Sequence, residues 1–151
     1  MYEKILVPLD GSELAECALP HVENLAKGRQ EAEVILLRVI EVEIYPIPKS
    51  YARSIDMAAL RSAYMAETEQ YLTEVQSRLA KAGLRARIEM VEGRAGQTIS
   101  NYAREKGVDL IVIATHGYTG MRHLMFGSVA LKVLHESQIP VLLIRPEMAH
   151  E

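Results

Sequence analysis

Five short apolar runs constrain what this chain can fold into. They are Ile5-Leu6-Val7, Val34-Ile35-Leu36-Leu37 with Val39-Ile40, Leu110 to Ile113, Val141 to Ile144, and the partly alternating Arg87-Ile88-Glu89-Met90-Val91. Successive strand residues point to opposite faces, so a run that is apolar throughout needs cover on both. Between the runs the spacing becomes helical. Leu14, Ala18, Val22, Leu25 and Ala26 predict a first helix, with Ser12 as N-cap and a kink at Pro20. Leu60, Tyr64, Tyr71, Leu72, Val75 and Leu79 predict a second, closed by Gly83. Ile99, Tyr102 and Ala103 predict a third, closed by Gly107, and Val129, Val133 and Leu134 a fourth.

The order βαβαβαβαβ predicts an α/β fold: a Rossmann-like, doubly wound, five-stranded parallel sheet with right-handed crossovers and helices on both faces. The 151 residues fit a single domain, 1–151. A net charge of −3 gives no support for binding nucleic acid or an anionic membrane, and no apolar run approaches the roughly 20 residues of a membrane span. The opening MYEKILVPLDGS lacks the apolar core of a secretion signal, and the single Cys17 fits a reducing compartment. The expectation is a cytoplasmic protein.

The stretch ATHGYTGMRHLMFGS, Ala114 to Ser128, sits between a buried strand and a helix. Ligands of open α/β sheets bind beyond the carboxyl ends of the strands, where strand order reverses. Pro8-Leu9-Asp10-Gly11-Ser12 is the other polar loop at a strand's carboxyl end. If strands one and four are neighbours, the two loops share one crevice. Gly127-Ser128 opens a helix, whose first N–H groups have no intrahelical partner and suit an anion. Gly117 and Gly120 suit an upstream nest of N–H groups, with Arg122, His123 and His116 nearby in sequence. The plainer reading stands beside this one: Ser128 as a helix cap, the glycines as turn residues, His116 in a surface turn. On the phosphate reading, a bulky side chain at Gly127 obstructs the ligand without unfolding the domain. The chain contains neither G-x-x-x-x-G-K-[ST] nor G-x-G-x-x-G nor G-x-S-x-G.

The segments ILVPLDGSE, VILLRVIE, GVDLIVIATHGYTG, LMFGSVALKVL and IPVLLIRP, in that order from Lys4 to Pro146, resemble the universal stress protein family. The nucleotide-binding branch of that family carries G-x2-G-x9-G-[ST]. Here Gly117 and Gly127-Ser128 keep both spacings, while Ala114 replaces the first glycine. Alanine suits that position unless it requires positive φ.

The resemblance implies strand order 3-2-1-4-5 and an ATP site. Asp10 is similar to the acid near adenine and ribose, with Pro8 and Leu9 in the same segment. Val39 matches the residue packing on adenine. Ile113 and Ala114 match the pocket lining, and Gly117, Gly127, Ser128 and Val129 the phosphate and ribose contacts. Gly120 joins them as part of the loop. Ala130 stands where some members have a hydroxyl. The implied cofactor is ATP, with Mg²⁺ arriving on the nucleotide near Asp10, or AMP or ADP in its place. The implied assembly is a homodimer through strand five, Val141, Leu142, Leu143 and Ile144, regulating an unknown protein partner.

Two rivals remain. One is a family member without nucleotide, acting as a dimeric interaction protein. The other is an enzyme of the wider adenine-nucleotide superfamily, against which the missing S-G-G-x-D-S loop weighs. No dedicated catalytic base is evident. The 41–56 connection, with Pro46 and Pro48, is long enough to cover a site or to be a surface insertion. His21, His123, His135 and His150 share no metal-ligand spacing with one another or with Cys17. Cys17 is expected to pack rather than to act in redox chemistry. Met57, Met65, Met121 and Met125 are expected to pack, Tyr64 and Tyr71 to share a core or interface face, and Arg78–Arg87 to form a solvated surface.

Overall fold

In the computed structural model, which describes residues 2–41, 56–116 and 127–147, β1 (Lys4–Pro8) sends Ile5 and Val7 to one face and Leu6 to the other. All three are fully buried. β2 (Glu33–Ile40) does the same, with Val34 and Leu36 against Ile35 and Leu37. These two strands and β4 (Leu110–Ala114) lie inside a parallel sheet of order β3-β2-β1-β4-β5, with β3 (Arg85–Glu92) and β5 (Val141–Ile144) at its edges. Each fully buried aliphatic side chain contributes about 1.5–3 kcal/mol, so the double-sided central strands dominate the core.

One face is covered by a 3₁₀ turn at Ala15–Ala18, by α1 (Leu19–Ala26) and by α2 (Met57–Lys81), whose Leu72, Val75 and Leu79 meet Val34, Leu36 and Val112. The other is covered by α3 (Ala95–Glu105) and α4 (Ser128–Glu136), which bring Ile99, Tyr102, Ala103 and Val133 onto Leu6, Ile35 and Ile111.

Local stop signals act as expected. Gly83, at φ +86°, follows α2. The N–H of Leu84 donates to Leu79 and that of Gly83 to Ala80, at 2.9 and 3.0 Å. This is a Schellman turn, with Leu79 and Leu84 buried together. Gly107, at φ +66°, follows α3, and Val108 donates to Ala103.

Four expectations are corrected. The helix from Leu14 is in two pieces, and Pro20 lies in the first turn of α1. A proline there forgoes an N–H that had no intrahelical acceptor, so it starts the α-helix instead of kinking it. Arg78–Arg87 is not wholly solvated. It holds buried Leu79 and Leu84 and the first residues of β3, whose outward face carries Arg85 and Arg87 paired with Glu33. On α4 the core side is Ala130 and Val133, while Val129 and Leu134 are exposed. Met57, the first residue of α2, is also exposed. Residues 42–55, including Pro46 and Pro48, lie outside the described residues, as do Gly117, Gly120, Met121, Arg122, His123, Met125 and His150.

Candidate functional site

Strands β1 and β4 are neighbours, as the shared crevice requires. Pro8 pairs with Leu37 and Leu6 with Ile111, so Pro8, Leu37 and Ile113 stand at one level and the chain beyond them forms the carboxyl rim. Leu9 continues β1 by donating to Leu37 at 2.9 Å. The next three residues turn sharply. Asp10 Oδ1 accepts from the Ser12 N–H at 2.9 Å and from the Ser12 hydroxyl at 2.5 Å. Gly11 between them adopts φ +88°, a left-handed conformation that a side chain disfavours. Ser12 Oγ in turn accepts from the Ala15 N–H at 3.2 Å. Ser12 therefore ties the loop to the first N–H of the 3₁₀ turn, whose N-cap is Leu14, and Asp10 organises the loop.

At the end of β4, Ala114 pairs with Ile144 and Thr115 donates to Ile144 at 2.8 Å. No described non-glycine residue has positive φ, so Ala114 replaces the motif glycine without backbone strain. Gly127 folds back on this strand end. Its N–H donates to the Thr115 carbonyl at 2.5 Å, and a Cβ built on it would lie 3.0 Å from that same oxygen. Its own φ is −68°, so close packing rather than backbone conformation favours glycine here. A larger residue at 127 is therefore expected to press on this strand end as well as to obstruct a ligand.

Gly127 is the N-cap of α4 and has no side chain with which to cap it, and Ser128 and Val129 are exposed beside it. The helix start is thus brought over the end of β4. Ala130 turns inward and is buried. His116 is buried too, its Nδ1 2.8 Å from Thr115 Oγ1, which removes the surface-turn reading.

The expected site residues divide between the two faces of the rim. Val39 and Ile113 belong with the α3/α4 side, where α4 begins. Leu9 packs into the opposite cluster, towards α2. Gly117 and Gly120 lie outside the described residues.

Sequence reasoning missed two rim contacts. Glu41, just after β2, accepts from the Ala95 N–H at 2.7 Å and so caps α3. Arg38, on the α2 side of β2, donates from Nη2 to Tyr64 Oη at 2.7 Å. The signal for Arg38 was a single charge within the otherwise apolar run from Val34 to Ile40.

A separate groove of about 340 Å³ lies between α1 and the C-terminal half of α2, lined by Glu13, Glu16, Cys17, Pro20, Arg78 and others. Glu16 there accepts from Tyr71 and from Arg78, at 2.9 and 2.5 Å. That hydrogen bond raises the Arg78 pKa further above its ordinary value. Burial, and then the bond to Glu16, raises the Tyr71 hydroxyl pKa. Burial also raises the Cys17 thiol pKa, against the thiolate that redox chemistry needs.

Residues 1–145 match the model of the universal stress protein family. The chain belongs to the universal stress protein family. A curated relative in the family, universal stress protein MJ0531 of Methanocaldococcus jannaschii, is 32% identical over 96% of this chain and 83% of its own length. The solved structure of protein MJ0577 from the same organism superimposes with a TM-score of 0.84 at 30% identity, covering 99% of both chains. More distant universal stress proteins share the fold. One from Archaeoglobus fulgidus in complex with dAMP has a TM-score of 0.66 at 23% identity, covering 95% of this chain and 98% of that one. One from Arabidopsis thaliana with AMP bound has 0.69 at 17%, covering 95% and 92%. Among the described residues, no helix of this universal stress protein is long and apolar enough to cross a membrane.

Proposed function

We propose that this universal stress protein is a single-domain, cytoplasmic, adenine-nucleotide-binding regulator that works as a homodimer. The observation carrying the reading is the start of α4. Gly127 is held against the end of β4 as the N-cap of the helix, where it offers no side chain to cap it, and Ser128 and Val129 are exposed at the rim. The free N-terminal N–H groups of a helix attract phosphate. Each hydrogen bond to a charged group contributes roughly 1.5–3 kcal/mol, so three or four hold a polyphosphate.

In this reading the phosphates lie on Gly127, Ser128 and Val129, with Gly117 and Gly120 completing the loop. The base packs on Val39, with Ile113 and Ala114 beneath it. Pro8, Leu9 and Asp10 are the segment at the ribose, with the Leu9 side chain turned into the core behind it. The favoured ligand is ATP, with AMP or ADP as alternative occupants. Mg²⁺ enters with the nucleotide, near Asp10. The role is regulatory, with occupancy biasing the rim and hence a protein partner.

The proposed dimer pairs β5 with β5. That strand is a sheet edge, and exposed leucines flank it on both faces. Leu142 pairs with Val112 and so belongs to the α1/α2 side. Leu131 and Leu134 lie on the flank of α4 away from Lys132, which packs on Gly96 of α3.

A second reading, a dimeric interaction protein without nucleotide, is favoured by Ala130, which offers no hydroxyl and points into the core. Thermal unfolding with Mg-ATP, AMP and GTP separates the two. Ligand at 100 times its Kd stabilises by about 2.7 kcal/mol, roughly 5–10 °C for a domain of this size. A shift with ATP and not GTP supports the adenine site. No shift at millimolar ATP supports the second reading.

A further inference from the structure

We infer that Arg38 is a positioning residue of the nucleotide crevice, acting through the Asp10–Gly11–Ser12 turn; this rests on the nucleotide reading above. A guanidinium within a central strand is costly to bury unless it is paired. Arg38 is half-buried near the carboxyl end of β2, between Leu37 and Val39 on a strand otherwise apolar from Val34 to Ile40. It faces α2, since Leu36 two residues earlier does, while Val39 faces the other side. Its direct reach is therefore to the back of the rim rather than to a base on Val39.

Two contacts fix it there. Nη2 donates to Tyr64 Oη at 2.7 Å. Nη1 lies 4.0 Å from where a Cβ on Gly11 would stand, so the guanidinium rests against the turn. Gly11 is the left-handed residue that lets Asp10 Oδ1 accept from both groups of Ser12. Arg38 thus backs the Gly11 turn with a fixed positive charge, and Tyr64 holds the guanidinium from α2. A neighbour that steadies a binding group changes affinity without touching ligand.

The test uses the full chain, with calorimetric titration of adenosine, AMP and ATP and amide exchange at Ser12. Arg38→Met is expected to weaken all three ligands by a similar factor, roughly tenfold. It is also expected to speed exchange of the Ser12 amide in the ligand-free protein. In an Asp10→Ala background, the same substitution is expected to cost nothing further. Tyr64→Phe gives a smaller loss of the same kind, and serves if Arg38→Met does not fold. Unchanged Ser12 exchange overturns the inference, whether or not nucleotide binds. So does a loss that adds fully to Asp10→Ala, or one that grows with phosphate number and so marks a direct phosphate contact. Wild-type protein that binds none of the three ligands overturns the nucleotide reading instead, and Arg38's role in binding with it.

Discussion

Gly127 donates its N–H to the carbonyl of Thr115 at 2.5 Å, and that oxygen stands 3.0 Å from where a Gly127 side chain would begin. The glycine that opens α4 is thus packed closely against the strand it rests on. A methyl group there must push on backbone, and overpacking costs about 1–3 kcal/mol. Gly127→Ala is expected to lower the unfolding free energy by about 1 kcal/mol, and Gly127→Val by about 2–3 kcal/mol, in ligand-free protein. Urea denaturation measures both. Wild-type stability in the valine variant would mean that the turn relaxes freely and that the glycine answers to a ligand alone.

Local features were legible in the sequence because their causes are local. Gly83 and Gly107 stop helices through left-handed conformations that few other residues adopt. The central strands were legible because burial on both faces leaves an uninterrupted apolar run. Pro20 misled, since a proline among helical positions reads equally as a kink or as a first-turn residue. The strand order rested on resemblance, and the register then put Pro8 level with Ile113. What escaped the sequence were contacts between distant residues. Arg38 meets Tyr64 across 26 positions and Glu41 meets Ala95 across 54. The reason for Gly127 was hidden likewise, because only the fold brings Thr115 beneath it.

Ser128 separates binding from stability. It is exposed in the first turn of α4, whose N-cap is Gly127. Ser128→Ala is expected to change stability by no more than about 0.5 kcal/mol, as exposed substitutions do. The same change removes a hydroxyl from the proposed phosphate contact, and ATP affinity is expected to fall roughly tenfold. Titration calorimetry measures this. Equal affinity in the folded variant would remove Ser128 from the site.

Tyr71 makes a prediction about alkaline pH. Its hydroxyl donates to Glu16 at 2.9 Å, and burial, followed by that bond, raises its pKa above the ordinary tyrosine value. Between the unfolded and the folded pKa, the native state holds a proton that the unfolded chain has released. Stability then falls as pH rises. The contribution is complete below about pH 10 and declines above it. Tyr71→Phe, which has no proton to lose, is expected to show a shallower loss of stability from pH 9 to 11 than wild type, by denaturation at fixed ionic strength. Parallel profiles would show that another group governs the alkaline limb.

The edge of β5 makes the last prediction. A strand with an unpaired side and apolar neighbours on both faces favours pairing with another chain. Leu142 lies on one face of that edge and Leu134 of α4 is exposed on the other side of the sheet. A second copy placed edge to edge covers both at once, and a lysine at either position would put an unpaired charge in the joint. Burying such a charge costs several kcal/mol, so Leu142→Lys and Leu134→Lys are each expected to weaken self-association by roughly 100-fold. Both residues are exposed in the single chain, so neither change should unfold it. Sedimentation velocity over a dilution series reads the outcome. A monomeric wild type would remove the dimer altogether. If wild type and both variants remain dimeric alike, the interface lies away from β5. A loss confined to Leu134→Lys would move it to the outer flank of α4, with the strand edge left unpaired.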